Sequence, residues 1–148
     1  MKRIARSAIV DCSAEAFYAL VEDIESYPAF LPWCAAAAVR ERTPGRTLAT
    51  LTLAARSLRQ TLTTENANHP GRSIEMRLVE GPFRRFSAHW HFTPLAPHAA
   101  KVEFAIEYEF SGHLVAGVLG PVFNRLADRT VEAFVRRAHA RAVGSDAG

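Results

Sequence analysis

Alternating apolar and polar side chains near the end of the chain constrain its fold more than any other sequence feature. Between residues 101 and 110 the apolar members are Val102, Phe104, Ile106, Tyr108 and Phe110, and charged residues fill most positions between them. Successive side chains of a strand point to opposite faces, so this run predicts a strand with one apolar and one wet face. Similar runs separated by turn signals predict about six strands between residues 39 and 110, in one antiparallel sheet.

The segments that flank this region predict helices. Residues 1–10 form a further strand in this prediction, and residues 14–24 form a short amphipathic helix that Ser13 caps. Residues 27–34 contain two prolines and are predicted to be a compact, aromatic-rich connection. Residues 113–142 carry apolar side chains at helical spacing, which predicts one long helix whose first turns are kinked or separate at Pro121. The expected fold class is therefore α+β, with two short helices after the first strand and a curved antiparallel sheet of about seven strands around a long C-terminal helix.

Composition narrows the classes of protein further. The 148 residues, 49% of them hydrophobic and 22% charged, are typical of one globular domain. We expect that domain to span residues 1–143, with a flexible tail at residues 144–148. Two cysteines are too few for a disulfide scaffold, and the apolar run from Leu114 to Phe123 is about half a membrane span. No signal peptide is recognisable, so a cytoplasmic location is expected.

Candidate catalytic groups are few and poorly combined. His89 and His91 lie two residues apart on the wet face of a predicted strand, without a third ligand at a convincing spacing. Cys34 lies in an apolar aromatic stretch, where a thiol usually only packs. The net charge of +3 is small, and acidic residues interrupt the basic face of the last helix, so a nucleic-acid-binding surface is not expected there. The sequence therefore predicts that the protein is not an enzyme and needs no metal.

A cavity is one of two interpretations of the apolar sheet face. Its side chains are large, whereas the helix expected to face it begins with the small residues Ala116, Gly117 and Gly120. Large groups opposite small ones leave an apolar cavity, but the same pattern also suits a filled core. Periodicity alone does not separate the two interpretations.

A set of ordered motifs resembles one known family. The most specific is Tyr27-Pro28-Ala29-Phe30-Leu31-Pro32-Trp33-Cys34, and others follow at family spacing, such as Trp90-His91-Phe92 and Tyr108-Glu109-Phe110. The chain thus resembles, over about residues 4–139, the coenzyme Q-binding START-like family. That family belongs to the helix-grip superfamily and includes ribosome association toxins and polyketide cyclase-like lipid-binding proteins. Phe86 and Ala88 stand where the family usually has smaller Leu and Gly, which implies a narrower pocket.

The resemblance implies a helix-grip fold and non-catalytic binding of a hydrophobic ligand, most directly ubiquinone, in support of respiratory electron transfer. Its alternative is a ribosome association toxin that binds the large ribosomal subunit and blocks subunit joining, with or without an antitoxin partner. No cofactor is required, although ubiquinone or a similar isoprenoid lipid would be bound, and peripheral contact with the inner membrane is expected. The residues predicted to bind the ligand are Phe30, Trp33, Met76, Phe86, Trp90, Phe92, Phe104, Tyr108, Val118, Val122 and Phe123.

Overall fold

The computed structural model of the protein describes residues 1–55 and 58–147, which form one sheet, two α-helices and a 3₁₀-helix. In chain order the elements are β1 (Lys2–Val10), α1 (Ala14–Glu22), the 3₁₀-helix (Ile24–Ala29), β2 (Cys34–Thr43), β3 (Arg46–Ala55), β4 (Leu58–His69), β5 (Ser73–Glu80), β6 (Phe83–Ala96), β7 (Ala99–Phe110) and α2 (His113–Ala147).

The seven strands form a single antiparallel sheet in the order β1-β7-β6-β5-β4-β3-β2. Each strand from β2 to β7 pairs with the next one along the chain. The strand β1 pairs with β7, so that Ile4 lies opposite Ile106. The apolar members of the 101–110 run are buried from Val102 to Tyr108, and Phe110 is half-buried at the strand's end. The predicted α+β fold, a curved sheet around a long C-terminal helix, is confirmed.

The helix after β1 begins and ends for local reasons. The Ser13 hydroxyl accepts a hydrogen bond from the backbone N–H of Ala16 at 3.1 Å, as an N-cap does. The predicted end at residue 24 is two residues late, because the chain tightens into the 3₁₀-helix there. This 3₁₀-helix is the second of the two short helices expected after β1, and Pro28 lies inside it. A 3₁₀-helix of such short length needs few backbone donors, so a proline is tolerated.

The long helix α2 is continuous from His113 to Ala147, although Pro121 lies inside it. The sequence predicts first turns that are kinked or separate and an end at residue 142. The proline removes one backbone donor, yet the first turns are not a separate segment, and the helix continues to Ala147. Its inner face is the predicted stripe, with Phe123, Ala127, Val131 and Phe134 all buried. The opposite face carries exposed arginines such as Arg125 and is wet.

Aromatic side chains fill the space between sheet and helix in two clusters. The first, which we call the α1-side cluster, consists of Phe17, Trp90, Phe92, Phe104 and Phe134. The second, the α2-start cluster, consists of Phe83, Phe86, Tyr108, Phe110 and Phe123. Ring centroids within each cluster lie as close as 4.6 Å, a spacing at which aromatic pairs stabilise each other beyond the area they bury. The α1-side cluster is therefore filled core.

Candidate functional site

An apolar cleft lies between the sheet and the first half of α2. Its wall consists of Trp33, Leu53, Ala54, Leu119, Val122, Phe123 and Leu126. Apart from the indole N–H of Trp33, these side chains are apolar, so the cleft suits a hydrocarbon rather than a charged molecule. Its volume is about 20 Å³, which is room for about one water molecule.

Three of the predicted ligand-binding residues meet in this cleft, namely Trp33, Val122 and Phe123. Others lie elsewhere in the molecule. Trp90, Phe92 and Phe104 belong to the α1-side cluster, Phe86 and Tyr108 belong to the α2-start cluster, Met76 is half-buried on β5, and Val118 is 58% exposed. The cleft thus lies at the end of β3, and most of the predicted ligand-binding residues lie outside it.

Phe30 packs away from the cleft wall. Its ring meets Tyr27 and Phe134 edge-on at centroid distances of 6.1 and 5.1 Å, and the Arg137 guanidinium carbon lies 5.1 Å from its centroid. A guanidinium over an aromatic face is attracted by the ring's negative centre. Phe30 therefore packs the end of the 3₁₀-helix against the second half of α2.

Sequence reasoning did not find four residues of the cleft wall: Leu53, Ala54, Leu119 and Leu126. A signal existed for the two helical residues, because Leu119 and Leu126 are seven positions apart on the predicted apolar stripe. No comparable signal marked Leu53 and Ala54. Their position depends on which strand end lies beneath the helix, and alternation along one strand does not reveal this.

One polar contact lies beside the cleft. The Tyr108 hydroxyl on β7 donates a hydrogen bond to the side-chain oxygen of Asn124 on α2. The Tyr108 ring lies 4.6 Å from the ring of Phe123, which lines the cleft. Burial, and then the charge of Asp128, raise the pKa of Tyr108 to about 12, so its hydroxyl keeps its proton at neutral pH. Asn124 was also missed from the sequence, although it is the one polar residue between Leu119 and Ala127 other than Arg125.

The start of α2 next to the cleft is loosely packed. Leu114 is 87% exposed, and a Cβ added at Gly117 or Gly120 would meet nothing within 4 Å. Together with Val118, Leu114 forms an exposed apolar surface one helical turn long, which we call the helix-start patch.

The residues considered for catalysis are not arranged for it. Burial raises the pKa of the Cys34 thiol to about 11, so the thiolate nucleophile is scarce at neutral pH. His91 is exposed on the outer face of the sheet, where its Nδ1 lies 3.9 Å from a carboxylate oxygen of Glu103. Within residues 1–55 and 58–147, no three His, Cys, Asp or Glu side chains are grouped as a metal site would need. No helix of that part of the chain is both long and apolar enough to cross a membrane.

Comparison with known proteins adds a family and several relatives. Residues 10–135 match the family model described as polyketide cyclase / dehydrase and lipid transport. A ribosome association toxin RatA of Vibrio cholerae is 42% identical over 93% of this chain and 96% of its own length. The RatA of Escherichia coli K12 is 41% identical over 93% of this chain and 87% of its own length. A mitochondrial coenzyme Q-binding protein COQ10 homolog B of Xenopus laevis is 25% identical over 93% of this chain and 59% of its own length.

Solved structures confirm the fold. A Zhui aromatase/cyclase from Streptomyces superposes with a TM-score of 0.84 and 16% identity, covering 95% of each chain. An 18 kDa protein from Caulobacter crescentus superposes with a TM-score of 0.73 and 28% identity, covering 96% of this chain and 99% of its own. A START superfamily protein from Mycobacterium smegmatis superposes with a TM-score of 0.69 at 20% identity, covering 94% of this chain and 95% of its own. The fold is therefore one that enzymes and other proteins share, and it does not by itself decide the function.

Proposed function

We propose, from the premise that the chain belongs to the polyketide cyclase / dehydrase and lipid transport family, that it binds an apolar ligand in the cleft beside α2 without transforming it. The observation that carries this proposal is the predominantly apolar wall of the cleft next to the polar pair of Tyr108 and Asn124. An isoprenoid quinone matches both features, because it joins a long hydrocarbon tail to a small polar head. Burial of the tail would supply most of the affinity, at about 0.8 kcal/mol for each CH₂ group.

The polar pair of Tyr108 and Asn124 would bind the head group of the quinone. Because Tyr108 donates to the Asn124 oxygen, the Asn124 N–H₂ group is left to donate a hydrogen bond elsewhere. A quinone carbonyl oxygen is an acceptor without a donor of its own, so it complements this amide. The coenzyme Q-binding relative, 25% identical, supports the choice of a quinone among apolar ligands.

Binding requires the cleft to widen. A volume of about 20 Å³ does not hold a quinone ring, so the first turns of α2 must move away from the end of β3. The loose packing of these turns, at Gly117 and Gly120 in particular, supports such a movement. A helix turn built from small residues has little side-chain packing to break when it shifts, so the movement costs little free energy.

Mass spectrometry of lipids extracted from freshly purified protein tests the proposal. Ala54 lines the cleft and Ala38 is exposed on β2, so Ala54→Phe is the test and Ala38→Phe is the matched control. We expect Ala54→Phe to lower the bound quinone at least tenfold while its melting temperature stays close to that of the control. Equal lipid content in the two variants, or wild-type protein free of lipid, contradicts the proposal.

A second function is favoured by a different observation, the 41–42% identity with relatives named ribosome association toxin over nearly their whole length. We propose association with the large ribosomal subunit as this second candidate. Arg125 and Arg129 are exposed one turn apart on α2, and neither forms an ion pair within the described residues. Such guanidinium groups suit phosphate contacts, whose strength falls steeply with salt.

Cosedimentation with purified large subunits over a series of salt concentrations tests the second candidate. Replacing both Arg125 and Arg129 by Gln should reduce the slope of log K against log salt by about one for each of the two guanidinium groups that binds a phosphate. Arg77→Gln is the control, since Arg77 is exposed on the sheet and paired with Glu65. Binding that is absent in wild type, or unaffected by the double replacement, overturns this candidate and leaves the first intact.

We also propose that the protein performs no chemistry on its ligand, because the buried Cys34 and the exposed His91 do not converge on the cleft. Recovery of the extracted lipid unchanged after incubation, in wild type and in Cys34→Ser, is the expected result. A product that forms with wild type and not with Cys34→Ser overturns it. An antitoxin partner, the cytoplasmic location, the domain limits and the flexible tail remain predictions.

A further inference from the structure

The first turns of α2, residues 113–120, pack differently from the rest of the helix. Leu119 is the only buried side chain among these eight residues, all of which the structure describes, whereas Leu114 is 87% and Val118 is 58% exposed. From Phe123 onward, in contrast, the inward face of α2 is buried at every turn up to Phe134. Few apolar contacts therefore hold the first turns against the sheet.

The helix is weakest where these turns end. Pro121 has no backbone N–H, so the carbonyl of Gly117 lacks the donor that a helix normally provides four residues later. A residue before proline is disfavoured in the helical conformation because its Cβ meets the proline ring, and Gly120 has no Cβ. The glycine lets the helix pass through the proline, but the missing hydrogen bond leaves a point at which it can bend.

Beyond Pro121, polar contacts hold α2 to the sheet. The Tyr108 hydroxyl donates to the Asn124 side chain, and one turn further on Arg6 of β1 forms an ion pair with Asp128. These contacts join β7 and β1 to the same two turns of the helix. The part of α2 after the proline is therefore fixed by burial and by polar contacts together.

The chain is also fixed just before α2 begins. The Ser111 N–H donates to the Pro82 carbonyl at 3.1 Å, and a Cβ added at the next residue, Gly112, would meet nothing within 4 Å. In the part of the chain that the structure describes, no side-chain hydrogen bond or ion pair joins residues 113–120 to another element. The segment thus lies between two fixed ends, with a glycine or a proline next to each.

We propose that residues 113–120 form a lid over the apolar cleft, which pivots at Gly112 and Pro121 while the rest of α2 stays on the sheet. Leu119 is the part of the cleft wall that belongs to the lid, so its movement opens the cleft from the side of the helix start. The wall residues after the proline stay in place beside the polar pair. The lid rests on the proposed ligand binding and adds the element that controls entry of the ligand.

NMR relaxation dispersion of the ligand-free protein tests the lid without any ligand. Exchange on the microsecond-to-millisecond timescale is expected for the backbone amides of residues 113–120, and not for those of residues 124–131 or for the Asn124 side-chain amide. Pro121 is exposed, so Pro121→Ala restores the missing donor without disturbing the core, and it should lower the population of the open state at least fivefold. Exchange that is absent from residues 113–120, equal along α2 or unchanged in Pro121→Ala overturns the proposal.

Two glycine replacements separate a pivoting lid from a helix end that unfolds. Gly117 lies inside the lid and Gly45 lies in the turn between β2 and β3, and a Cβ at either would meet nothing within 4 Å. Alanine stabilises a helical turn relative to glycine, so Gly117→Ala would lower the open population about fourfold if the turn unfolded. A pivoting lid should keep it within about twofold of the Gly45→Ala control, and a fourfold loss contradicts the proposal.

Stopped-flow binding of ubiquinone-1 then connects the lid to the ligand. Pro121→Ala should associate with ubiquinone-1 at least fivefold more slowly than wild type, whereas Gly45→Ala should associate at the wild-type rate. If wild type binds ubiquinone-1 and Pro121→Ala associates equally fast, the lid is wrong and the proposed function stands. If wild type does not bind ubiquinone-1, the proposed quinone binding is contradicted, and the relaxation measurements alone decide whether the lid exists.

Discussion

The hydroxyl of Tyr108 on β7 and the side-chain oxygen of Asn124 on α2 are joined by a hydrogen bond across the sheet–helix interface. Tyr108 is buried among Phe83, Phe110 and Phe123, so its hydrogen bond to Asn124 lies beside an otherwise apolar aromatic cluster. A buried hydrogen bond of this kind fixes the helix in one position relative to the sheet. In the proposed function it also orients the amide that meets the ligand head.

Tyr108→Phe should therefore affect stability and ligand choice together. Loss of the hydroxyl should lower the free energy of unfolding by about 0.5–1.5 kcal/mol, as removal of one such hydrogen bond does. The bound lipid should contain several times less quinone relative to lipids without a carbonyl-bearing ring. Urea unfolding and lipid mass spectrometry measure the two effects. Tyr18→Phe is the control, and it should change stability by less than about 0.5 kcal/mol because no hydrogen bond of its hydroxyl is described.

The same tyrosine predicts how stability changes at high pH. Its pKa is about 12 in the folded protein, where burial is the main cause, and about 10 when the chain is unfolded. The folded state thus holds this proton more tightly, so the associated stability is fully present below pH 10 and is lost as the pH rises to 12. Urea unfolding between pH 9 and 11 should show a decline that is steeper in wild type than in Tyr108→Phe. Equal slopes would contradict the assignment. Tyr27, whose pKa burial also raises, contributes the same background to both proteins.

The two cysteines should differ in reactivity. With a pKa of about 11, Cys34 has about 0.1% thiolate at pH 8, and its side chain is buried. Cys12 is half-buried, so reagents reach it more readily, although burial and then Asp11 raise its pKa as well. Iodoacetamide at pH 8 should therefore modify Cys12 at least tenfold faster than Cys34, as followed by peptide mass spectrometry. Faster reaction at Cys34 would show an activated thiol and would reopen the question of catalysis.

Periodicity predicted most of the fold because burial repeats regularly in long elements. The run from residue 101 to 110 and the α2 stripe from Phe123 to Phe134 both have the predicted faces buried. The prediction failed where no polar residue marks the outer face. In the stretch from Leu114 to Phe123 the predicted stripe placed Leu119 inward, and Leu119 is buried, but Val118, which was predicted to bind the ligand, is exposed. A helix turns about 100° with each residue, so an all-apolar stretch leaves its orientation open.

The candidate site was harder to predict than the fold for a related reason. Leu53 and Ala54 reach the cleft because β3 ends beneath the start of α2, a long-range arrangement that local patterns do not contain. In the connection before β2, Leu31 is 1% exposed, whereas its neighbour Phe30 is half-buried. A short segment with two prolines has no period, so its sequence does not distinguish core from surface. Leu31 therefore belongs to the core, although no pattern in the sequence indicated this.

The exposed side chains of Leu114 and Val118 at the start of α2 allow membrane contact to be tested. Leu114 and Val118 form the helix-start patch beside the cleft, so insertion of this patch into a bilayer would place the cleft where a lipid tail could enter it. Full transfer of a Leu or Val side chain from water contributes about 1.5–3 kcal/mol. Replacing both residues by Ser should consequently weaken vesicle association at least tenfold, in a cosedimentation assay with vesicles of phosphatidylethanolamine and phosphatidylglycerol.

The matched control replaces two exposed apolar residues of the sheet, Ile9 and Leu95, by Ser. Both lie near the end of the sheet opposite the cleft, at the end of β1 and of β6, so their loss lowers surface hydrophobicity equally but elsewhere. We expect the control to bind vesicles as wild type does, and both double variants to unfold at nearly the wild-type temperature, since none of the four side chains is buried. Equal loss of vesicle binding in both variants would indicate non-specific adhesion, and no vesicle binding by wild type would rule out the patch as a membrane contact.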